Sequence, residues 1–232
     1  MKEIWNESCI LSPSLICLDM CNLEREVKTL EKAGIKMLHV DILDGHFSPS
    51  MPLGLDTVRQ LRAKTDMFFD CHVMVTEQDY FVDELLDIGV DQIVFHGETQ
   101  PHIDGMLNRI HAKGVKAGVA LKPATPLSEL EYVLDKCDTV LLMLINPGYA
   151  FVKGEKQVTY ADRKIRELRK MITDRGLKTK IEGDGRISPD NIRTYGKSDV
   201  DIFVTGSTCI KKDNMEQSLE DLMKLHDLVI GG

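Results

Sequence analysis

Three short apolar segments of this chain carry histidines or aspartates at alternating positions. His39 and Asp41 are two residues apart in one segment, Asp70 and His72 in another, and Asp184 closes a third. In an extended strand, residues i and i+2 face the same side, so each pair points its side chains together. Two imidazoles and two carboxylates form a usual ligand set for one divalent ion of zinc, iron(II), manganese or cobalt. The predicted ligands are His39, Asp41, His72 and Asp184.

Each of these side chains, taken alone, has a structural alternative. A lone histidine or aspartate is more often a hydrogen-bonded structural residue, and Asp184 could merely cap a turn before Gly185. Burying two histidines and two aspartates without partners would cost several kcal/mol, which a shared cation offsets. Because three segments supply compatible ligands, the pattern favours a metal site.

Short β-rich segments alternate with longer helical segments along the chain, and these elements must position the ligands. The periodicity predicts strands over residues 10–17, 37–43, 68–75, 92–96, 116–121, 139–144, 180–184 and 202–205. It predicts helices over residues 22–33, 55–63, 78–88, 102–112, 127–134, 157–174, 188–194 and 215–228. Strict alternation implies a parallel sheet with right-handed crossovers, and eight such units can close into a barrel.

The predicted fold is therefore α/β, a single (β/α)8 TIM barrel. The length of 232 residues suits one such barrel, and no linker divides the chain, so we expect one domain over residues 1–232. An open doubly wound sheet is the alternative. A dinucleotide-binding sheet would need Gly-x-Gly-x-x-Gly after the first strand, where residues 17–20 are Cys-Leu-Asp-Met. In a barrel, reactive groups collect at the carboxyl ends of the strands, where the four ligands lie.

Charge and composition exclude several classes of partner. The formal net charge is −8 and no basic stripe occurs, so we expect neither nucleic acid nor an anionic membrane as partner. No apolar run approaches the roughly 18 residues needed to cross a bilayer. The first residues lack the layout of a secretory signal, so a cytoplasmic location is expected. The six cysteines show no Cys-x-x-Cys spacing and are expected to be free thiols.

Seven segments, spread over nearly the whole chain, carry a resemblance to a known family. They are SPSLICLDM (12–20), HVDILDGHFSP (39–49), DCHVMV (70–75), LKPATPL (121–127), INPGYA (145–150), IEGDGRIS (181–188) and VTGSTCI (204–210). In order and spacing this set resembles ribulose-phosphate 3-epimerases. The resemblance implies a (β/α)8 fold, a ketose-phosphate substrate, and one divalent metal on the residues matching His39, Asp41, His72 and Asp184. It also implies that the two aspartates form the acid–base pair and that Ser14 and Met74 line the substrate.

The chemistry of such a reaction agrees with these residue types. Removing a proton next to a ketone is difficult because the enolate is unstable, and a metal ion near the carbonyl oxygen stabilises the developing charge. Inverting the carbon needs one group to remove the proton and another to return it from the opposite face. Asp41 and Asp184, from different strands, could flank a cis-enediolate and alternate as base and acid.

An anion site is expected beside this centre. Loops after strands 7 and 8 often bind phosphate through backbone N–H groups. These loops contain Gly185, Gly206 and Ser207. The loop after strand 6 adds Asn146 and Gly148 as further candidate contacts. His72, one of the predicted metal ligands, is also expected to contact the substrate.

Two departures from the family pattern bear on the substrate. After Gly148 the family normally has an aromatic residue and then a Gly-Gly or Ala-Gly pair. Here Tyr149 is followed by Ala150 and Phe151, which predicts a bulkier loop. Arg186 replaces a small residue after Gly185; it could grip the anion, face solvent or pair with an acidic neighbour. These changes predict a phosphorylated ketose other than a pentulose, such as allulose 6-phosphate or a tetrulose.

Two alternative functions use the same barrel. A decarboxylase of a sugar acid phosphate would also use an enediolate, but it typically has a lysine among its strand-end carboxylates. A catalytically silent sugar-phosphate-binding barrel would have little need for two opposed carboxylates. Barrels of this kind often associate, so a homo-oligomer is expected, with the number of copies left open.

Three further residues near strand ends have open roles. His96 could contact a metal ligand or be a satisfied strand-end histidine. Lys122 could approach the substrate or remain a solvated loop residue. Phe47 could cover the substrate or pack on the surface.

Overall fold

The computed structural model describes residues 3–148 and 152–231, which contain eight parallel strands in one sheet. They are β1 (Ile10–Pro13), β2 (Met37–Leu43), β3 (Phe68–Met74), β4 (Gln92–His96), β5 (Lys116–Leu121), β6 (Thr139–Met143), β7 (Lys180–Asp184) and β8 (Ile202–Thr205). Each strand pairs with its neighbours in chain order, and β8 pairs with β1. A parallel bridge between Ser14 and His39 joins the remaining edges, so the sheet closes and the predicted barrel is confirmed.

Helices follow the strands on the outside of the barrel. Within the described ranges they are α1 (Leu23–Lys32), α2 (Leu55–Arg62), α3 (Gln78–Ile88), α4 (Ile103–His111), α5 (Ala161–Asp174), α6 (Pro189–Tyr195) and α7 (Met215–Gly231). None of these helices is long and apolar enough to cross a membrane. All six cysteines are free thiols, as their spacing predicted.

The helix predicted over residues 127–134 is wrong. The chain instead forms two 3-10 turns, Leu127–Leu130 and Leu134–Lys136, between β5 and β6. Leu130 and Leu134 are buried in the main apolar cluster. The two turns therefore bury apolar side chains against the barrel, as the predicted helix would have done, but with 3-10 geometry.

The first predicted strand is too long at its carboxyl end. β1 stops at Pro13, and a 3-10 turn over Leu15–Cys17 follows. The turn is closed by a hydrogen bond from the Cys17 N–H to the Ser14 carbonyl at 3.1 Å. This bend matters for the site because it leaves Ser14 at the mouth of the barrel, next to β2.

Alternation along β2 separates the barrel interior from the layer beneath the helices. Leu38, Val40 and Ile42 belong to the main apolar cluster, which the helices share. Met37 faces the other way and packs with a smaller cluster at the amino ends of the strands, formed by Ile4, Ile10, Phe68 and Ile202. The inward positions after Met37 are His39 and Asp41, so the interior changes from apolar to polar towards the carboxyl ends.

Lys164 on α5 fastens the loop after β5 to the barrel wall. Its buried ammonium donates to the carbonyl oxygens of Lys122 at 2.8 Å, Pro123 at 3.0 Å and Thr125 at 2.7 Å. Three acceptors in a segment that forms no helix of its own are thereby satisfied by one side chain. The loop is thereby positioned against α5.

Substituting Lys164→Met is expected to lower the free energy of unfolding by about 2–4 kcal/mol, because buried carbonyl groups lose their donor. The matched control is Lys170→Met on the same helix, whose side chain is 75% exposed and pairs with Asp174. That change should stay within about 0.5 kcal/mol of the wild type. Denaturant unfolding of both variants measures the difference, and equal stabilities would contradict the role given to Lys164.

Candidate active site

Four polar side chains from three strands converge at the carboxyl end of the barrel. His39 and Asp41 lie on β2, His72 on β3, and Asp184 at the end of β7. His39 Nε2 is 3.4 Å from Asp41 Oδ1. His72 Nδ1 is 3.9 Å from the same oxygen and 3.6 Å from Asp184 Oδ2. One ligand atom from each residue lies within 4.8 Å of the other three, so the four residues predicted as metal ligands come together.

The geometry of this group, which we call the four-residue centre, fits a small divalent cation. Ligand atoms placed tetrahedrally at about 2.0–2.2 Å from one ion lie about 3.3–3.6 Å apart, close to the separations above. His39 Nε2 and His72 Nδ1 are buried and have no hydrogen-bond partner among the described residues. Burying an unpaired nitrogen costs free energy. Two such nitrogens facing a common point therefore indicate ligands of a cation.

Charges around the centre also favour a cation. Burial lowers the pKa of His39, but the charge of Asp41 and contacts with two further carboxyl groups outweigh burial and raise that pKa well above its usual value. Burial raises the pKa of Asp41, whereas the two histidines and a serine hydroxyl lower it, with a net decrease. The surroundings thus stabilise positive charge at this point of the barrel.

A buried polar layer beneath the centre orients His39. His39 Nδ1 is 2.9 Å from Asp70 Oδ2, and Gln92 Nε2 donates to the other oxygen of Asp70 at 2.6 Å. Thr139 Oγ1 donates in turn to Gln92 Oε1 at 2.9 Å. Since Asp70 occupies one nitrogen of the ring, the other nitrogen, Nε2, is the one directed at the four-residue centre. Sequence reasoning placed Asp70 on this face but gave it no role, and it did not single out Gln92.

Glu182 belongs to the same layer and was also missed. Its Oε1 lies 3.1 Å from His39 Nδ1, and Glu182, Asp70 and His39 form a second group of residues that could hold a metal ion. Burial and the charge of Asp70 raise the pKa of Glu182 well above its usual value. Because His39 Nδ1 already contacts Asp70, we assign this group to orienting His39. Glu182 is two residues before Asp184, so strand alternation was the signal that could have revealed it.

The second histidine is held by a different set of side chains. His72 Nε2 is 3.0 Å from His96 Nε2, and His96 Nδ1 is 2.8 Å from Glu98 Oε2. Burial lowers the pKa of His96 to about 4. Burial raises the pKa of Glu98, but hydrogen bonds from His96 and the loop after β5 lower it to about 2. Of the two roles open to His96, contact with a predicted metal ligand is the one found, while Glu98 was not foreseen.

Phe47 and Lys122 cover His96 from the mouth of the barrel. The Phe47 and His96 rings lie 4.6 Å apart between centroids, and Lys122 Nζ is 4.1 Å from the centroid of Phe47. Neither side chain is among the described residues that line the cavity at the four-residue centre. Lys122 is therefore a partner of Phe47 rather than a neighbour of the carboxylates.

A cavity opens above the centre, between the loops that follow the strands. Besides Asp41 and Asp184, it is lined by Ser14, Ile16, Cys17, Leu43, Ser50, Met74, Met143, Ile145, Gly148, Gly185, Arg186, Val204, Gly206, Ser207 and Thr208. Ser14 Oγ donates to Asp41 Oδ2 at 2.6 Å, so a predicted substrate residue holds one of the aspartates. The lining thus combines polar side chains with apolar ones such as Met74, Met143 and Ile145.

Most residues predicted to contact the substrate lie on the wall of this cavity, and two do not. Those on the wall are Ser14, Met74, Gly148, Gly185, Arg186, Gly206 and Ser207. His72 is fully buried behind the centre. Asn146 is exposed, and its amide Nδ2 lies 3.4 Å from Glu155 Oε1. The chain turns outward at Asn146 and returns to the cavity only at Gly148.

Two glycines shape the wall because no side chain fits there. Gly148 has φ 78°, and a Cβ at this position would lie 2.0 Å from Ser48 Oγ. Gly185 has φ 109°, and a Cβ there would lie 2.9 Å from the backbone nitrogen of Ile145. Both positions require glycine for its left-handed backbone and for the close approach of a neighbouring loop.

Arg186 follows Gly185 with φ 55°, a left-handed conformation that is uncommon for a residue with a Cβ. Its Nη2 donates to the carbonyl oxygen of Val152 at 3.1 Å, and its Nε is buried without a partner among the described residues. No acidic side chain forms an ion pair with it among those side chains that the structure describes. Arg186 therefore lines the cavity with donors to spare. Tyr149, Ala150 and Phe151, on which the bulkier loop was predicted, lie outside the described residues.

The fold and this group of side chains define a (β/α)8 barrel with a candidate metal centre at the carboxyl ends of its strands. The sequence model of the ribulose-phosphate 3 epimerase family matches residues 10–210. The chain therefore belongs to the ribulose-phosphate 3-epimerase family, and it is a carbohydrate epimerase, which is an isomerase.

Curated relatives agree with the family match. The chloroplastic ribulose-5-phosphate-3-epimerase of Arabidopsis thaliana is 35% identical over 215 residues, which cover 92% of this chain and 75% of the relative. The ribulose-phosphate 3-epimerase of Synechocystis is 35% identical over 219 residues, covering 92% of this chain and 93% of the relative. The Escherichia coli K12 enzyme of the same name is 32% identical over 214 residues, covering 92% and 94%.

Solved structures support the fold alone. The crystal structure of KGPDC from Streptococcus mutans superposes with a TM-score of 0.70 at 13% identity, covering 97% of this chain and 100% of that one. The 3-hexulose-6-phosphate synthase from Salmonella typhimurium has a TM-score of 0.68 at 14% identity, covering 95% and 99%. These superpositions confirm the barrel fold, and at identities this low they carry no argument about the reaction.

Proposed function

We propose that this protein is a metal-dependent 3-epimerase of a phosphorylated ketose that works by two-base proton transfer through a cis-enediolate. One observation carries the proposal: two carboxylates from separate strands, Asp41 and Asp184, meet two free imidazole nitrogens at one end of a cavity. The family and the names of the curated relatives support the reaction class. His39, Asp41, His72 and Asp184 would hold the ion, whether zinc, iron(II), manganese or cobalt.

A bound cation supplies positive charge that stabilises the negative charge developing on the ketose. Asp41 removes the C3 proton from one face of the sugar, and Asp184 returns a proton from the other face; the roles exchange in the reverse reaction. Ser14 donates to Asp41 Oδ2 and so fixes the carboxylate plane, while Asp41 Oδ1 faces the two histidines of the four-residue centre. Met74 and Met143 line the cavity and exclude water from the planar intermediate.

The proposed phosphate contacts come from the loops that follow β7 and β8. Gly185, Gly206 and Ser207 lie on the cavity wall, where backbone N–H groups can donate to anionic oxygens. Arg186 adds a guanidinium whose Nε has no partner among the described residues, so it can donate without giving up a contact. An anion is thereby accommodated despite the negative net charge of the chain.

The relatives and this chain's own loops point to different ketose phosphates. The names of the relatives favour ribulose 5-phosphate, whose C3 epimer is xylulose 5-phosphate. Arg186 and the sequence after Gly148 favour a related hexulose or tetrulose phosphate, which would need different contacts with the loops after β6 and β7. The cytoplasmic location, the homo-oligomeric state and the single domain over residues 1–232 also stay predictions.

Proton exchange at C3 tests the reaction directly. The protein is incubated in deuterated water with a panel of phosphorylated and free ketoses. For one phosphorylated ketose above the rest, we expect NMR to show deuterium at C3 together with the C3 epimer. Chelation of divalent ions should abolish exchange, and adding back zinc, iron(II), manganese or cobalt should restore it. Carbon dioxide release would indicate the decarboxylase, and binding without exchange would indicate the silent barrel.

Preference for an unphosphorylated sugar would refute the anion site while leaving the epimerase chemistry intact. Full exchange after chelation, with metal content measured as nil, would refute the metal dependence. The two results separate the two halves of the proposal.

A further inference from the structure

The two histidines of the four-residue centre face it with different ring nitrogens. His39 presents Nε2, because its Nδ1 contacts Asp70 at 2.9 Å. His72 presents Nδ1, because its Nε2 lies 3.0 Å from His96 Nε2. The Asp70 carboxylate contacts the His39 ring directly. On the outer side of the His72 ring, the imidazole of His96 lies between His72 and the Glu98 carboxylate.

The hydrogen-bond partners of His72 and His96 determine which ring nitrogens carry protons. A contact of 3.0 Å between two ring nitrogens requires one N–H and one lone pair. Glu98 is an acceptor, so His96 carries its proton on Nδ1, 2.8 Å from Glu98 Oε2, and offers the lone pair of Nε2. His72 must then carry its proton on Nε2. In the neutral ring, this leaves a lone pair on His72 Nδ1, the nitrogen that faces the centre.

Glu98 is held so that it cannot reverse this arrangement. Its other oxygen, Oε1, accepts from the Lys122 N–H at 2.7 Å and from the Thr125 hydroxyl. Lys164 binds the carbonyl oxygens of Lys122 and Thr125 and so fixes the loop that carries both donors. With Oε1 occupied, only Oε2 remains for His96.

We propose that Glu98 and His96 are positioning residues that set the tautomer of His72 and thereby make its Nδ1 a metal ligand. The inference rests on the proposed metal centre. Neither residue touches the ion or the substrate; they act through His72 along the sequence Glu98, His96, His72. Asp70 orients His39 in the same way, but by direct contact, whereas Glu98 acts on His72 through the imidazole of His96.

The isosteric substitution Glu98→Gln should invert the chain of protons. The amide oxygen of glutamine would face the Lys122 N–H and the Thr125 hydroxyl, since both are donors. Its NH2 would then face His96 Nδ1 and donate to it. His96 would shift its proton to Nε2 and donate to His72 Nε2, which would leave an N–H on His72 Nδ1, pointing at the four-residue centre.

Two measurements test the proposal on the full chain. Nitrogen-15 NMR of the histidine rings in metal-free wild-type protein should show His72 protonated on Nε2 and His96 on Nδ1, and Glu98→Gln should reverse both. Competition between the protein and a chromophoric chelator for Zn²⁺ should give an affinity about 10- to 100-fold lower for Glu98→Gln than for wild type. The matched control is Glu129→Gln, an exposed glutamate in the turn after β5, which should leave both readouts unchanged.

His72 protonated on Nδ1 in the wild type, or a Zn²⁺ affinity of Glu98→Gln within twofold of wild type, would overturn the proposal. Should Glu98→Gln fail to fold, the wild-type tautomers still decide. A wild-type chain that binds no Zn²⁺, Mn²⁺ or Co²⁺ would contradict the proposed metal centre instead, and the ring tautomers would still report separately on Glu98 and His96.

Discussion

Asp41→Asn and Asp184→Asn are each expected to lower kcat for 3-epimerisation by about 10²- to 10⁴-fold, the range for removal of a general acid–base group. Asparagine keeps an oxygen that can face the cation but cannot accept the C3 proton at neutral pH. Both residues line the cavity, and their carboxylates belong to the same four-residue centre. Because each aspartate serves a different face of the sugar, neither can replace the other.

Exchange without inversion distinguishes loss of a base from loss of the metal. Each variant retains one base, so it should still exchange the C3 proton of one epimer with deuterated water, and the two variants should act on opposite epimers. Metal content, measured on the same samples, should equal that of the wild type. Asp190→Asn, an exposed position on α6 with a 90% exposed side chain, serves as control and should keep full activity.

Near wild-type turnover in either aspartate variant at full metal occupancy would end the two-base scheme. Exchange of the same epimer by both variants would show that one aspartate works on both faces. Loss of metal from a variant would confirm that aspartate as a proposed ligand, and its proton exchange would then be measured at saturating Zn²⁺.

Arg186→Gln is expected to raise KM for the phosphorylated ketose by about 10- to 100-fold with a small change in kcat. A hydrogen bond to a charged group contributes about 1.5–3 kcal/mol, which corresponds to that range. The phosphate lies away from the reacting carbon, so the contact is equal in the ground state and the transition state, and its loss raises KM. Steady-state kinetics with each phosphorylated ketose and its unphosphorylated counterpart measure the effect.

The unphosphorylated ketose is the internal control, since its KM should not change in Arg186→Gln. Arg193→Gln on α6, with a 55% exposed side chain paired to Asp190, controls for loss of a positive charge in the same region. Arg186→Lys should give an intermediate KM, because lysine keeps the charge without the planar fork. Equal effects on phosphorylated and free sugars would assign Arg186 to holding the loop at Val152, where its Nη2 donates.

Much of the barrel was predictable because strand periodicity is a local property. β2, β4, β5, β7 and β8 have the bounds expected from the sequence, since each is a short β-rich segment followed by helical spacing. The errors lie where tertiary contacts compete with local preference. Residues 127–134 have a helical pattern, yet they form two 3-10 turns that bury Leu130 and Leu134 in the main apolar cluster.

The candidate centre was predictable for the same reason. His39 and Asp41 occupy alternate positions of one strand, and parallel strands place their carboxyl ends together, so residue type and spacing were enough to bring the ligands to one point. Alternation would also have placed Glu182 on the inner face. Glu182 lies two residues before the strand end, and only the strand end, at Asp184, was predicted to carry a ligand.

The amino-acid sequence by itself determined the barrel, the four converging side chains and the family. Only the tertiary structure decided how those side chains are held. His39 meets Asp70, 31 positions along the chain, and His72 meets His96, 24 positions along, through single hydrogen bonds. The ring nitrogen that each histidine directs at the four-residue centre depends on which side chain contacts its other ring nitrogen. Such contacts join separate strands and loops, so no local spacing encodes them, and they appear only when the barrel has closed.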